Sequence, residues 1–154
     1  MTGENKIITI DCGLSGGWCI KPNDDSKVFV HKLREEFVDL TEQFWGHAGA
    51  VAFVETQHLR KIDCQTGRWH NIHKLCLHYQ RIKDALECCD ITVKELSPVK
   101  WQKHFELKSR TYKDRKKELK EHCIKLFPDQ KVTLWNCDAL LMMEYVLTKK
   151  LHKK

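Results

Sequence analysis

Along the chain, the spacing of apolar residues changes period several times. Residues 7–12 (IITIDC) are an apolar run that closes on Asp11, and Gly13 with the Gly16-Gly17 pair supplies a turn into a second strand around residues 18–20. KVFVHK, residues 27–32, reads as a third strand, so the chain opens as a meander on Asp11. The period then turns helical: Leu33, Phe37, Leu40 and Phe44 recur at i, i+4, i+7 and i+11, which predicts a short helix packed on the sheet. AVAFVE, residues 50–55, is too short and too apolar for anything but a central strand, and it ends on Glu55.

From residue 69 the apolar positions Ile72, Leu75, Tyr79, Ile82 and Leu86 fall on a heptad-like repeat, which predicts a long helix. Most of that stripe is expected in the core, although so regular a seam also suits a dimer. ITVKEL, residues 91–96, reads as a strand, and Ser97-Pro98 places an N-cap and a first-position proline at the head of a helix through Phe105. Tyr112, Leu119, Cys123 and Leu126 line one face of a basic helix that stops before Pro128. The last helix begins near Asn136, a suitable cap, and CDALLMMEYVL is apolar on nearly every side, so it must be largely buried. The order predicts a mixed α/β domain with helices on both faces of a sheet.

At 154 residues the chain fits one domain, residues 1–154, with a basic tail from about residue 149. No apolar stretch approaches the roughly 18 residues that span a bilayer, and MTGENK lacks the apolar segment of a secretory signal, so an intracellular protein without a membrane partner is expected. Eight cysteines could mean a disulfide scaffold, but Ile, Leu, Val and Phe are plentiful enough to build a core, and the thiols read as mostly reduced. The net charge of +6 favours a polyanionic partner. Residues 108–125 and the tail concentrate that charge, a pattern that a solvated helix face would also give.

Two buried strands that finish on acids change the picture further. An ionised carboxylate in apolar surroundings is costly unless it is paired or bound to a cation, and neither strand has a basic residue beside its acid. Asp138, in the first turn of the buried last helix, is a third acid of this kind. Each has an innocent reading: Asp11 capping its own glycine turn, Glu55 exposed at a strand end, Asp138 complementing the helix dipole. Together they suggest a site for hard ions such as Mg²⁺ or Mn²⁺, which prefer oxygen ligands. Two such ions about 4 Å apart activate a water and stabilise the leaving oxygen in attack on a phosphodiester. Acids for the metal and bases for the polyanion point to a nuclease.

The chain resembles the RuvC-like Holliday-junction resolvases, particularly their phage and viral branch, within the RNase H and integrase superfamily. The resemblance runs through TIDCGLSGGWCI, AVAFVETQH, KELSPVKWQKHFEL, KLFPD and DALLMMEY, and so through nearly the whole domain. It implies an RNase H-like fold with a mixed five-stranded sheet. It also implies a homodimer that binds a four-way DNA junction and nicks two strands with Mg²⁺ or Mn²⁺. Carried over by position, Asp11, Glu55 and Asp138 would be the metal ligands. Lys113 matches a lysine near the scissile phosphate, and Lys116 and Lys117 would join it against the DNA backbone. Residues 57–69 would enter the junction, which makes Arg60, Lys61, Arg68, Trp69 and His70 DNA contacts, with Lys108 and Arg110 on the basic stretch; Trp69 would stack on an unpaired base or pack under its loop.

One position departs from the family. Its members generally carry a second acid, or a histidine, about one helical turn before the DALL aspartate, and here Trp135 stands there between Leu134 and Asn136. Glu144 would face elsewhere on the helix, Asp129 would need its loop to fold back, and Asn136 could offer a neutral oxygen. A weakened second ion site, or junction binding without cleavage, therefore stands beside the nuclease reading. Cys64, His70, His73, Cys76 and His78 invite a zinc-stapled nucleic-acid module, though their spacing is not that of a usual finger and His73 and Cys76 overlap the helix stripe. The Asp-x-Gly turn also opens the phosphate loop of actin-like ATPases, but those enzymes need two lobes and further glycine-rich motifs that this chain lacks.

Overall fold

In the computed structural model, which describes residues 6–22, 27–57 and 61–153, five strands form one mixed sheet in the order β3-β2-β1-β4-β5. The strands are β1 (Ile7–Ile10), β2 (Gly17–Lys21), β3 (Phe29–Lys32), β4 (Val51–Glu55) and β5 (Thr92–Leu96). β1, β2 and β3 are the expected antiparallel meander, while β4 and β5 add in parallel on the other side of β1. Parallel pairing requires crossovers, and helices supply them: α1 (Phe37–Phe44) leads into β4, and α2 (Lys61–Gln65) with α3 (Trp69–Cys88) leads into β5. α4 (Pro98–His104), α5 (Tyr112–Leu126) and α6 (Cys137–Thr148) follow.

Alternation along the strands splits the core in two. Ile8, Ile10, Trp18, Ile20, Ala52 and Val54 point to one face and pack under Leu40 and Phe44 of α1 and Tyr79, Ile82 and Leu86 of α3. Ile7, Cys19, Val51 and Phe53 point to the other and meet α4, α5 and above all α6. Helices thus cover both faces, as the order of elements predicts. No helix among the described residues is long and apolar enough to cross a membrane.

One local expectation is corrected, and another, that most of the α3 stripe is core, holds for three of its five positions. Asn136 precedes α6 but its side chain does not cap it: Oδ1 accepts from the Thr133 N–H at 2.8 Å and Nδ2 donates to the Lys131 carbonyl at 2.9 Å, so the amide is used up tying its own loop. The stripe of α3 is core only in its second half; Tyr79, Ile82 and Leu86 are buried, whereas Ile72 and Leu75 are half-buried and Trp69 and Leu77 exposed. A helix of 20 residues is about 30 Å long and outruns strands of five residues, about 17 Å, so its first half projects past the sheet.

Candidate functional site

The parallel register of β1 and β4 pairs Ile10 with Val54, so Asp11 and Glu55 follow side by side, one residue beyond, on neighbouring strands. They share the side-chain parity of Thr9 and Phe53 and therefore address the α6 face. Thr9 Oγ1 donates to the Ala139 carbonyl at 2.8 Å, which fixes the first turn of α6 against β1 and brings up Asp138, the preceding residue. Three acids distant in sequence are thus carried to one end of the sheet by three elements.

Each acid is held by neighbours. Beyond Asp11 the chain reverses at once: Asp11 N–H donates to the Gly17 carbonyl at 3.0 Å and Gly16 N–H to the Gly13 carbonyl at 2.8 Å. A Cβ on Gly16 would lie 2.1 Å from the Asp11 carbonyl oxygen, so only glycine fits this turn. Gly13 N–H donates to Asp11 Oδ1 at 3.0 Å, so the carboxylate does support its own turn, with its other oxygen left for further partners. Glu55 is not an exposed strand end. It is 7% accessible, accepts from Trp101 Nε1 at 2.9 Å, and receives a longer bond from Gln57 Nε2 at 3.4 Å. Trp101, fully buried on α4, is placed there because Pro98 starts that helix straight after β5. Asp138 is paired with Lys116 of α5, Nζ to Oδ2, at 2.5 Å.

Three carboxylates against one close ammonium leave the cluster anionic, and the acids respond. Burial, reinforced by repulsion from Asp138, pushes Asp11 up to about 6 against the opposing pull of the Gly13 N–H and Lys116. Burial, then repulsion from Asp11, pushes Glu55 up to about 8 even though Trp101 stabilises its charge. Partial burial opposes the charge of Lys116, but attraction to Asp138 outweighs it and the lysine stays above its usual value. The all-oxygen donor set and the uncompensated charge fit a hard divalent cation. As the side chains lie, however, no three His, Cys, Asp or Glu among the described residues form an ion-holding group, and Lys116 takes the place of a cation at Asp138.

The other candidates surround this cluster unevenly. Lys113 is exposed one turn before Lys116, and Lys108, Arg110 and Lys117 are exposed on the same stretch. Glu118 accepts from the backbone N–H groups of Lys108 and Ser109 at 2.9 and 3.0 Å, and Arg115 donates to Gln102 at 3.0 Å; together these bonds hold α5 to the loop before it and to α4. Lys61, Arg68, Trp69 and His70 are exposed on α2, α3 and the turn between them, while Arg60 lies outside the described residues. Trp135 is half-buried on β2: a Cβ on Gly17 would sit 2.7 Å from its ring. Asp129 is exposed, and Glu144 accepts from Thr148 Oγ1 at 3.1 Å. Neither replaces the missing acid, and the Asn136 amide is committed to its own loop.

The zinc expectation is not met. Cys64 stands exposed on α2, Cys76 half-buried on α3, and His70 and His73 pack around the Trp69 ring at 5.7 and 6.3 Å instead of gathering with the thiols. All eight cysteines are free. Trp101, within KELSPVKWQKHFEL, is a site neighbour that the sequence alone does not reveal.

No protein-family profile and no curated protein matches the chain. Among solved structures, RuvC of Thermus thermophilus superposes with a TM-score of 0.54 over 88% of this chain and 89% of that one, at 13% sequence identity. At that identity the likeness is one of fold, and it agrees with the sheet order described above: the domain has an RNase H-like, RuvC-like α/β fold.

Proposed function

We propose that the chain is a divalent-metal-dependent, structure-selective endonuclease that binds four-way DNA junctions and nicks their strands. The observation that carries this reading is the meeting of Asp11, Glu55 and Asp138 at one end of the sheet, on a fold shared with RuvC, beside a helix rich in lysine. Asp11, Glu55 and Asp138 would hold Mg²⁺ or Mn²⁺, which when bound supplies a polarised water and stabilises the oxygen that leaves. Glu55, pushed up to about 8 in the ion-free chain, would help activate that water once it has given up its own proton, and Trp101 orients its carboxyl. Lys116 would release Asp138 to the cation and turn its ammonium to a phosphate, with Lys113 and Lys117 on the same helix as further backbone contacts. The projecting half of α3, with Trp69 and Leu77 exposed on it and Ile62 exposed on α2, offers a second copy an apolar face, and Trp69 or its neighbours a route into the junction.

A second reading has its own support. Trp135 fills the position of an expected acid, and Lys116 already neutralises Asp138, which together describe a junction-binding protein that has lost cleavage. One experiment separates the two. A synthetic four-way junction is incubated with the full chain in Mg²⁺ or Mn²⁺, and nicked duplexes and chains bound per junction are measured. The nuclease reading expects paired nicks, two chains per junction, and loss of cutting with retained binding in Asp11→Asn. Salt-sensitive binding without cleavage in either metal selects the inactive binder, and cutting by Asp11→Asn at the wild-type rate removes Asp11 from the site.

A further inference from the structure

On the α1 face of the sheet, toward the β2–β3 edge, lies a hollow of about 560 Å³ that the acid cluster does not use. Its wall is aromatic. His31 stacks on Trp18 with ring centroids 4.5 Å apart and is itself exposed, which leaves its outer face open, and Phe29 is 53% exposed beside it. Its rim is cationic, with Lys6 and Arg34 both lining it and no acidic side chain among the described lining residues. Those cations are lightly engaged: Lys6 donates to the Gly46 carbonyl at 3.2 Å, and Arg34 stands 3.8 Å from Asp39 in an exposed pair.

Two polar atoms behind this wall have no partner among the described residues. Trp18 is 2% accessible, and its indole N–H finds no acceptor among the described residues. His47, whose ring meets Trp18 edge-on at 5.9 Å, has a buried Nδ1 that is likewise without a partner. Both nitrogens are sealed from solvent, so a ligand in the hollow meets only what the wall exposes, an aromatic face and two cations. Burial lowers both His31 and His47, so their rings are neutral and free to stack and to exchange hydrogen bonds. The combination asks for a flat ring joined to an anionic group.

We infer that this hollow is a nucleotide-binding site, with a base against His31 and Phe29 and a phosphate held by Lys6 and Arg34. The chemistry is shared by a free mononucleotide and by the terminal nucleotide of a single strand. It stands on residues apart from the acid cluster and does not depend on cleavage.

The test is calorimetric titration of the full chain in EDTA with dAMP, with deoxyadenosine, and with a short 5′-phosphorylated oligonucleotide, repeated on Lys6→Gln/Arg34→Gln and on His31→Ala. Saturable binding of dAMP is expected, about tenfold weaker for deoxyadenosine and weaker by a similar factor in each variant. Tighter binding of the oligonucleotide than of dAMP, lost in the same variants, assigns the site to strand ends; equal or weaker binding assigns it to free nucleotide. Absence of saturable binding of both phosphorylated probes to the wild-type chain overturns the inference, as does binding that both variants leave unchanged. Because EDTA removes divalent ions, a failed junction-cleavage assay leaves this result standing, and the converse also holds.

Discussion

Glu55 carries a proton at neutral pH in the ion-free chain because burial and the adjacent Asp11 make its charge more expensive than the Trp101 hydrogen bond can offset. The consequence for stability has a definite sign. A carboxyl whose folded value lies above its unfolded one contributes fully below the unfolded value and loses that contribution as pH rises through the folded one. Asp11 therefore withdraws support between 3.8 and about 6, and Glu55 between 4.5 and about 8, so the chain in EDTA weakens from mild acid to mild alkali. Glu55→Gln keeps an oxygen for Trp101 and removes the charge. Its unfolding free energy should exceed that of wild type at about pH 9, by on the order of 2 kcal/mol, and match it near about pH 4. Equal melting of the two at alkaline pH would show that Glu55 is not strained by its setting. Asp11 and Glu55 are legible in the sequence because a lone acid closing an apolar strand is a visible anomaly. Trp101 is not, since nothing along the chain shows that its N–H reaches a residue 46 positions earlier. Nor does the sequence say which lysine of α5 finds Asp138: basic residues recur on every turn, and only the phase of α5 against α6 selects Lys116 over Lys113.

At the scale of elements, the seat of Trp135 on β2 joins the loop before α6 to the strand that pairs with β1. Gly17 makes the seat possible, since an added Cβ would lie 2.7 Å from the ring and 2.8 Å from the Trp135 carbonyl oxygen, both closer than real contacts allow. Gly17→Ala should therefore displace Trp135 and cost about 1–3 kcal/mol in denaturant unfolding, as overpacking does elsewhere. Gly17→Ala combined with Trp135→Ala should recover part of that loss because the ring is gone while the carbonyl stays, and a double variant with strictly additive losses would refute the ring contact. Strand parity, the proline start of α4 and the all-round apolar α6 are legible because each follows from local periodicity and capping. The short α2 and the overrun of α3 are not. α2 has only five residues and too little pattern to announce itself, and whether a periodic stripe is covered depends on the length of the sheet beneath it.

For the whole molecule, the protons on Glu55 and Asp11 compete with any cation that uses the same oxygens. If these acids hold the ion, adding Mg²⁺ should raise the unfolding free energy more at about pH 8.5 than at about pH 6, by up to about 2.7 kcal/mol at a hundredfold excess over the dissociation constant. A rise that does not vary with pH would place the ion elsewhere. The changes of hydrophobic period along the chain suffice to foresee one mixed sheet covered on both faces. They do not foresee how the cluster is neutralised, because that depends on contacts between α5 and α6 that no single segment encodes. Those two helices are anchored unequally: α6 buries eight of its twelve residues, α5 only Leu119 and Cys123 of fifteen. Amide protons of α5 should accordingly exchange with deuterium well before those of α6, through openings that spare the sheet. The ammonium then sits on the loosely tethered partner and the carboxylate on the immobile one, so the bolt across the site can be drawn without loosening the frame that holds it.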